Sequence, residues 1–355
     1  MSDFSKTKTV HILGGGVAGL SCAFFIKQNN PQVKTVLYES SSHLGGRAYS
    51  FFDPKWNMML DNAVHAVLGA NKDVCRFLPN LKFEKVSFYD ADKQEVSQKY
   101  WRFLPEIKVS VFNTPNPAPR AQWMVLKSLF PFVGKSLKVW FSEHNLTETL
   151  LKPLQSYVDE LHLKNTLKGF KAQDGRIKTL EFDKKKVEIG EDDFVISALD
   201  ARNYHKIFGG ETFSFNRIIN IYFHTSTKLW LPNGKTNLGI KNLQSHWLSA
   251  GENILAVTIS NYDKKIKDRD AFARQIWHEV SQIRNFDAAF LPDYKILDYP
   301  YATIAQDNEN NQKRPQSSRT KYQNLHLAGD WTLKDYPCCL NGAIISAQRV
   351  AKNLF

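Results

Sequence analysis

The chain has 355 residues, of which 43% are hydrophobic and 23% charged, which is enough length for two domains and the balance of an ordinary globular protein. A net charge of +12 and a pI near 9.3 favour anionic surfaces or substrates, but Lys and Arg are spread along the chain without a helix-turn-helix, zinc or RNA-binding signature, so nucleic acid is not an expected partner. Cys22, Cys75, Cys338 and Cys339 have neither metal-ligand nor disulfide-framework spacing, the N-terminus lacks an apolar signal core, and no apolar run reaches the roughly 20 residues of a spanning helix; the expectation is no metal, a reducing compartment and a cytoplasmic chain, at most lying on a membrane.

The first readable element is an apolar strand, Val10-His11-Ile12-Leu13, which runs into Gly14-Gly15-Gly16-Val17-Ala18-Gly19. Leu20, Ala23, Phe24 and Ile26 follow at near-helical spacing, and a second apolar run, Thr35–Tyr38, ends on Glu39. This is a βαβ unit with a dinucleotide fingerprint. Gly14 permits the tight turn, Gly16 lets backbone approach a pyrophosphate, and Gly19 lets helix and strand pack closely. The helix N-terminus then turns free N–H groups and the positive end of its dipole to the phosphates, with Gly15 and Ala18 in the same turn. Glu39 lies 20 residues after Gly19, where a carboxylate accepts from a ribose diol and repels a 2′-phosphate, so NADP is disfavoured.

The next stretch, Ser40-Ser41-Ser42-His43-Leu44-Gly45-Gly46-Arg47-Ala48, sets Gly-Gly-Arg a short spacer after the acidic residue. It resembles the flavin-containing amine oxidase and phytoene desaturase superfamily. The resemblance implies FAD, bound non-covalently because no cysteine has the superfamily's attachment context, with Glu39 and Ser40 near the ribose and Gly45, Gly46 and Arg47 at the pyrophosphate. After a strand and turn at 50–55, Asp61-Asn62-Ala63-Val64-His65 and Gly69-Ala70 are similar to the squalene-associated desaturases, the hydroxysqualene dehydroxylases, in which Asp-Asn-Gly-Gln-His is usual. Ala63 and Val64 make this loop stiffer and less polar. Asn62 and His65 are flavin-proximal candidates.

Further along, Tyr100–Leu104 and Val109–Phe112 read as strands, and the Pro-rich 113–119 as neither central strand nor helix. Residues 121–141 read as two short helices broken at Pro131 and Gly134, rich in Trp and Phe and carrying Lys127, Lys135 and Lys138. Such a segment suits either a pair of core helices or a membrane interface at the mouth of a lipid-binding tunnel. From Leu161 to Ala198 the pattern is a β-meander around Asp174-Gly175, ending in a buried parallel strand. By the resemblance, a strand residue here, Leu167, meets the adenine through its backbone. The stretch 217–260 alternates as antiparallel strands, and Phe272, Ile276, Trp277, Val280 and Ile283 predict a helix over 270–283. Tyr299–Ala305 and Arg314-Pro315 are similar to further elements of the family.

The C-terminal block supplies the other half of the cofactor site. Leu325-His326-Leu327-Ala328-Gly329-Asp330-Trp331-Thr332 is a buried strand ending in Gly-Asp, and Leu340-Asn341-Gly342-Ala343 opens the last helix. The resemblance places Gly329 and Asp330 on the ribityl or phosphate portion and turns the helix N-terminus to the flavin pyrimidine edge. Where the family has Pro-Ala-Thr-x-Glu, this chain has Pro337-Cys338-Cys339-Leu340-Asn341, so Cys338 and Cys339 are also flavin-proximal candidates and a carboxylate is lost.

The reading is an α/β protein: a Rossmann-type FAD/NAD(P)-binding domain from 1–70, 155–205 and 320–355, and a substrate domain of mixed or antiparallel sheet plus helices from 71–154 and 206–319. The implied function is an FAD-dependent oxidoreductase moving hydride between flavin N5 and an apolar isoprenoid substrate, as in a hydroxysqualene dehydroxylase or desaturase. With no second Gly-x-Gly-x-x-Gly after a strand, an external electron donor or acceptor is expected. A flavin amine oxidase and a non-catalytic FAD-binding protein stay open as alternatives.

Overall fold

The computed structural model describes residues 8–78, 84–129, 138–140, 145–284 and 288–354. A five-stranded parallel sheet runs in the order Glu160–His162, Lys34–Tyr38, Thr9–Leu13, Phe194–Ser197, Leu325–Leu327. Strands buried on both faces read as continuous apolar runs. Val10, Ile12, Leu37, Ile196 and Leu325 are all fully buried. The first helix, Val17–Asn29, and the last, Leu340–Leu354, pack against one another beneath this sheet and share one apolar core. A three-stranded antiparallel meander, 167–188, covers the other side through Ile177, Leu180 and Phe182. The expectation of a meander feeding a buried parallel strand holds from Leu167 onward. Glu160–His162 differs: it pairs in parallel with Lys34–Tyr38 as the edge of the main sheet.

A second sheet of seven strands is mixed, with order Asp293–Ile304, Phe215–His224, Ile254–Ser260, Trp247–Ala250, Asn237–Lys241, Phe88–Asp90, Glu95–Ser97. Its longest strands pair antiparallel over 215–224 and 293–304. The helix Arg269–Arg284 buries Phe272, Ile276, Trp277, Val280 and Ile283 against one face, as its spacing predicts.

Two expectations are corrected. Residues 100–112 are not strands: Tyr100–Phe103 is a single 3-10 turn and Leu104–Phe112 an α-helix. Pro105 sits in the first turn, where its missing N–H costs nothing, and Asn113 ends the helix in the left-handed region at φ 49°. Of the two helices expected over 121–141, the first is present as Pro119–Leu129, but Lys138–Trp140 is a strand between Val67–Leu68 and Glu84–Lys85. Val139 and Trp140 are buried, whereas Phe130, Pro131, Gly134, Lys135 and Phe141 lie outside the described residues.

Candidate functional site

The glycine turn closes on itself before it faces anything else. Gly14 has φ +107°, and its N–H reaches the Tyr38 carbonyl at 2.8 Å. A Cβ on Gly19 would fall 2.0 Å from the Gly14 carbonyl oxygen, so this glycine sets the closeness of helix and strand. Gly16 is different: a Cβ there would meet nothing nearer than the Gly45 carbonyl oxygen at 3.9 Å. The protein's own packing does not require glycine at this position. Gly16 is also the N-cap, which supplies no side-chain acceptor to the first-turn N–H groups. An open approach beside uncapped amides is what a dinucleotide pyrophosphate needs.

Around this turn the structure gathers the predicted residues. Gly45 donates to the Gly15 carbonyl at 2.8 Å and bridges Gly16. Glu39 is half-buried and accepts from the Gly15 N–H at 2.7 Å and the Ser41 N–H at 2.8 Å, with the Ser40 hydroxyl at 3.1 Å. Ala18 is buried in the helix's first turn. Residues 164 and 165 donate to the Ser41 and Glu39 carbonyls, which brings Leu167, two residues on, to the same end of the sheet.

Arg47 and Asp330, separated by 283 residues, meet at 2.6 Å. The guanidinium also donates to the Ala302 carbonyl at 2.8 Å, and Asp330 raises its pKa further. Its side chain is still 46% exposed, while Asp330 is buried. Gly329, at φ +138°, donates its N–H to Ser346 in the last helix at 2.8 Å. Sequence reasoning gave Arg314 no role, yet it is fully buried and donates to the carbonyls of Asp330 (2.6 Å), Trp331 (3.0 Å) and Tyr336 (2.7 Å). It fixes the loop that carries Asp330. An Arg-Pro pair ahead of a Gly-Asp strand is the signal that points to it.

The flavin-proximal candidates separate by what they are already bonded to. Asn62 is buried and spent on the loop after Arg47: Nδ2 donates to the Arg47 carbonyl at 2.9 Å and Oδ1 accepts from the Tyr49 N–H at 3.0 Å. His65 stands 3.4 Å from the same Oδ1, and burial, then the Arg47 charge, lowers its pKa to about 4, so it is neutral near pH 7. Cys338 is buried with its N–H on Gln306, and burial pushes its thiol up to about 12. Burial raises Cys339 to about 11, and its side chain reaches a cavity. Neither thiol is a nucleophile at neutral pH. Leu340 packs into the core shared by the two helices, and Asn341 ties Val74 to Tyr336.

That cavity has a volume of about 870 Å³. Its walls are the misread helix, through Leu104, Ile107 and Val111, the helix 119–129, through Met124 and Leu126, and the large sheet at Trp247 and Thr258. Val64, Tyr336, Pro337 and Cys339 close its inner end, adjoining His65 and the start of the last helix.

Comparison with known proteins accords with this arrangement. An NAD(P)-binding Rossmann-like domain model matches residues 12–81, and the flavin containing amine oxidoreductase model matches residues 126–354, more than half of the chain. The chain belongs to the flavin containing amine oxidoreductase family. Like that family, it is an FAD-dependent oxidoreductase with an α/β fold. It is 25% identical to a hydroxysqualene dehydroxylase of Zymomonas mobilis, with 96% of this chain and 97% of that one covered. It is 24% identical to a hydroxysqualene dehydroxylase of Sinorhizobium fredii, at 97% of each. Among solved structures, wild-type putrescine oxidase bound to putrescine superposes with a TM-score of 0.68 at 12% identity, covering 98% of this chain and 99% of the other. Cyclohexylamine oxidase of Brevibacterium oxydans does so with a TM-score of 0.71 at 10%, covering 98% and 99%. At those identities the two oxidases share the fold with this family member and nothing finer.

Proposed function

We propose that this family member acts on a long apolar, isoprenoid-type substrate, in the manner of a hydroxysqualene dehydroxylase or desaturase. The observation that carries the reading is the cavity: about 870 Å³, walled mainly by aliphatic and aromatic side chains, with its inner end beside His65 and the last helix. Such a space excludes water and aligns a flexible hydrocarbon along its length. Bound FAD supplies the hydride chemistry at N5. The chain's own residues hold that group: the Gly14–Gly19 turn, Gly45-Gly46 and Arg47 at the pyrophosphate, Glu39 and Ser40 at the ribose, Leu167 at the adenine, Gly329 and Asp330, the partner of Arg47, at the ribityl chain, and Leu340-Asn341 at the pyrimidine edge. Attachment is non-covalent, and electrons are exchanged with an external partner. The partition of the chain into a cofactor part (1–70, 155–205, 320–355) and a substrate part belongs to the same reading.

An amine substrate fits less well. No Asp or Glu lies among the described cavity residues, and Lys108 adds a positive charge, so an ammonium ion finds no counter-charge there. That the two relatives are hydroxysqualene dehydroxylases supports the isoprenoid class over the amine class. Peripheral contact with a bilayer, from which such a substrate is drawn, is supported by Trp101, Leu104, Met124 and Leu126, which line the cavity while remaining exposed.

Anaerobic incubation of reduced holoprotein with hydroxysqualene, followed by chromatography, tests the assignment. Squalene is the expected product. Amine-dependent hydrogen peroxide in air, with no squalene, would replace this reading with an amine oxidase.

A further inference from the structure

The polar side chains that line the cavity are not equivalent. Thr258 donates its hydroxyl to Asn220 Oδ1 at 2.8 Å, Gln122 its amide to the Pro117 carbonyl at 2.6 Å, and Ser128 its hydroxyl to the Val125 carbonyl at 2.7 Å. Thr258 and Ser128 have thereby used their only hydroxyl protons. Tyr336, at the inner end beside Pro337 and Cys339, differs from them. Its phenol oxygen accepts from Asn341 Nδ2 at 2.7 Å, and among the described residues it makes no hydrogen bond as donor.

The direction of that bond is set from the far side of the amide. The buried Val74 N–H lies 2.9 Å from Asn341 Oδ1, and an N–H is satisfied by the amide oxygen, not by the amide nitrogen. Nδ2 must then face Tyr336, with Asp73 Oδ2 at 3.5 Å. Because Nδ2 only donates, the phenol oxygen must accept, and its own proton is left over. Burial first, then the neighbouring Cys339, holds the phenol protonated well above its ordinary range, against the opposing pull of the Asn341 bond and with a smaller contribution from Asp73.

We propose that Tyr336, oriented by Asn341, donates its phenol hydrogen bond to an oxygen on the substrate at the inner end of the cavity, so that the site selects an apolar chain carrying a hydroxyl or carbonyl over the bare hydrocarbon. The proposal rests on the apolar-substrate reading above. Tyr336 is the contact that determines specificity and Asn341 a positioning residue. A carboxylate at 341 reverses the polarity: one oxygen keeps the Val74 N–H and the other accepts the phenol proton, withdrawing it from the cavity. An amide at position 341 therefore gives the site a donor where a carboxylate would remove one.

The test is equilibrium binding to FAD-loaded protein, followed by flavin absorbance and calorimetry, with farnesol and its parent deoxy-triene as probes. The alcohol-to-hydrocarbon affinity ratio is the readout, because taking it across variants cancels the difference in water solubility. A donor of this kind is worth roughly tenfold, so the ratio should fall about tenfold in Tyr336→Phe, with FAD content and hydrocarbon affinity unchanged, and by a similar factor in the FAD-loaded fraction of Asn341→Asp. A structural role for Asn341 alone would not move the ratio. If Asn341→Asp does not fold, Tyr336→Phe decides. A ratio unaltered in Tyr336→Phe overturns the donor and leaves the apolar-substrate reading standing. Failure of wild-type holoprotein to bind either probe overturns both.

Discussion

Gly14, Gly16 and Gly19 carry one letter in the fingerprint but three different loads. Gly16 has φ −73° and ψ 177°, which alanine adopts freely, and open space where its Cβ would stand, whereas a Cβ at Gly19 collides with backbone at 2.0 Å. Gly19→Ala should therefore lower the melting temperature of the apoprotein by many degrees. Gly16→Ala should leave it within about 1 kcal/mol of the parent while weakening FAD at least tenfold in titration. Unchanged FAD affinity in Gly16→Ala would remove the pyrophosphate from that position. Glu39→Ala is expected to weaken FAD about 10- to 150-fold, the worth of a lost charge-assisted hydrogen bond, and because Glu39 also caps the Gly15 and Ser41 N–H groups, some stability goes with it. The glycine turn was legible because backbone geometry forces residue types. The Arg47–Asp330 pair was not legible, since nothing in either motif shows that they are neighbours.

His326 carries a second prediction at the same scale. It is buried in the strand 325–327, its Nδ1 has no partner among the described residues, and burial, then Arg319, lowers its pKa to about 4. In the unfolded chain it titrates near 6.5, so between about pH 6.5 and 4 the unfolded state binds more protons than the folded one. Stability is then full above the unfolded pKa and is lost as pH falls, by up to about 1.4 kcal/mol per pH unit for this group. Denaturant titrations of holoprotein from pH 7 to 4.5 should show a shallower loss for His326→Leu than for the parent. Parallel slopes would mean that this histidine is protonated in the folded state.

At the scale of elements, long periodic segments and strands punctuated by glycine were readable, and short windows were not. The helix 269–284 was legible over its whole length because its apolar residues recur through four turns. Residues 100–112 carry two β-prone runs of four or five residues, each of which alone has the pattern of a strand. Taken together, Leu104, Ile107 and Val111 recur at helical spacing behind Pro105, and they form the cavity wall. The joint between meander and parallel sheet was likewise invisible. Asn324 is fully buried, with Oδ1 accepting from the Ile177 N–H at 2.8 Å and Nδ2 donating to the Ile177 carbonyl at 2.9 Å. Asn324→Ala orphans both buried groups, at about 1–3 kcal/mol each, and should lower the denaturation midpoint accordingly. A change below about 0.5 kcal/mol would show that the meander is held by its apolar face alone.

For the whole molecule, the question left by the fold is how the proposed apolar substrate reaches the cavity. The helix 119–129 exposes Trp123 (65%), Met124 and Leu126, and the adjoining turn and helix expose Trp101 (70%) and Leu104. Four of these five line the cavity as well, so the exposed apolar surface and the substrate space are continuous. Arg120, Lys127 and Lys99 are exposed alongside, within a chain of net charge +12. The proposed peripheral dock rests on such aromatic side chains at the headgroup level and on lysines worth about 1 kcal/mol each near an anionic surface, with reach cut to about 8 Å at physiological salt. Sedimentation with anionic vesicles should therefore recover more protein than with neutral ones, less at high salt, and less again for the double variant Trp101→Ser, Trp123→Ser. Trp140 is the internal control: it is buried in the strand 138–140, so Trp140→Ser should lower the melting temperature and leave vesicle recovery of the folded fraction unchanged. Equal recovery with both vesicle types, or no loss in the double variant, would detach the exposed rim from membrane binding and require the substrate to arrive through water.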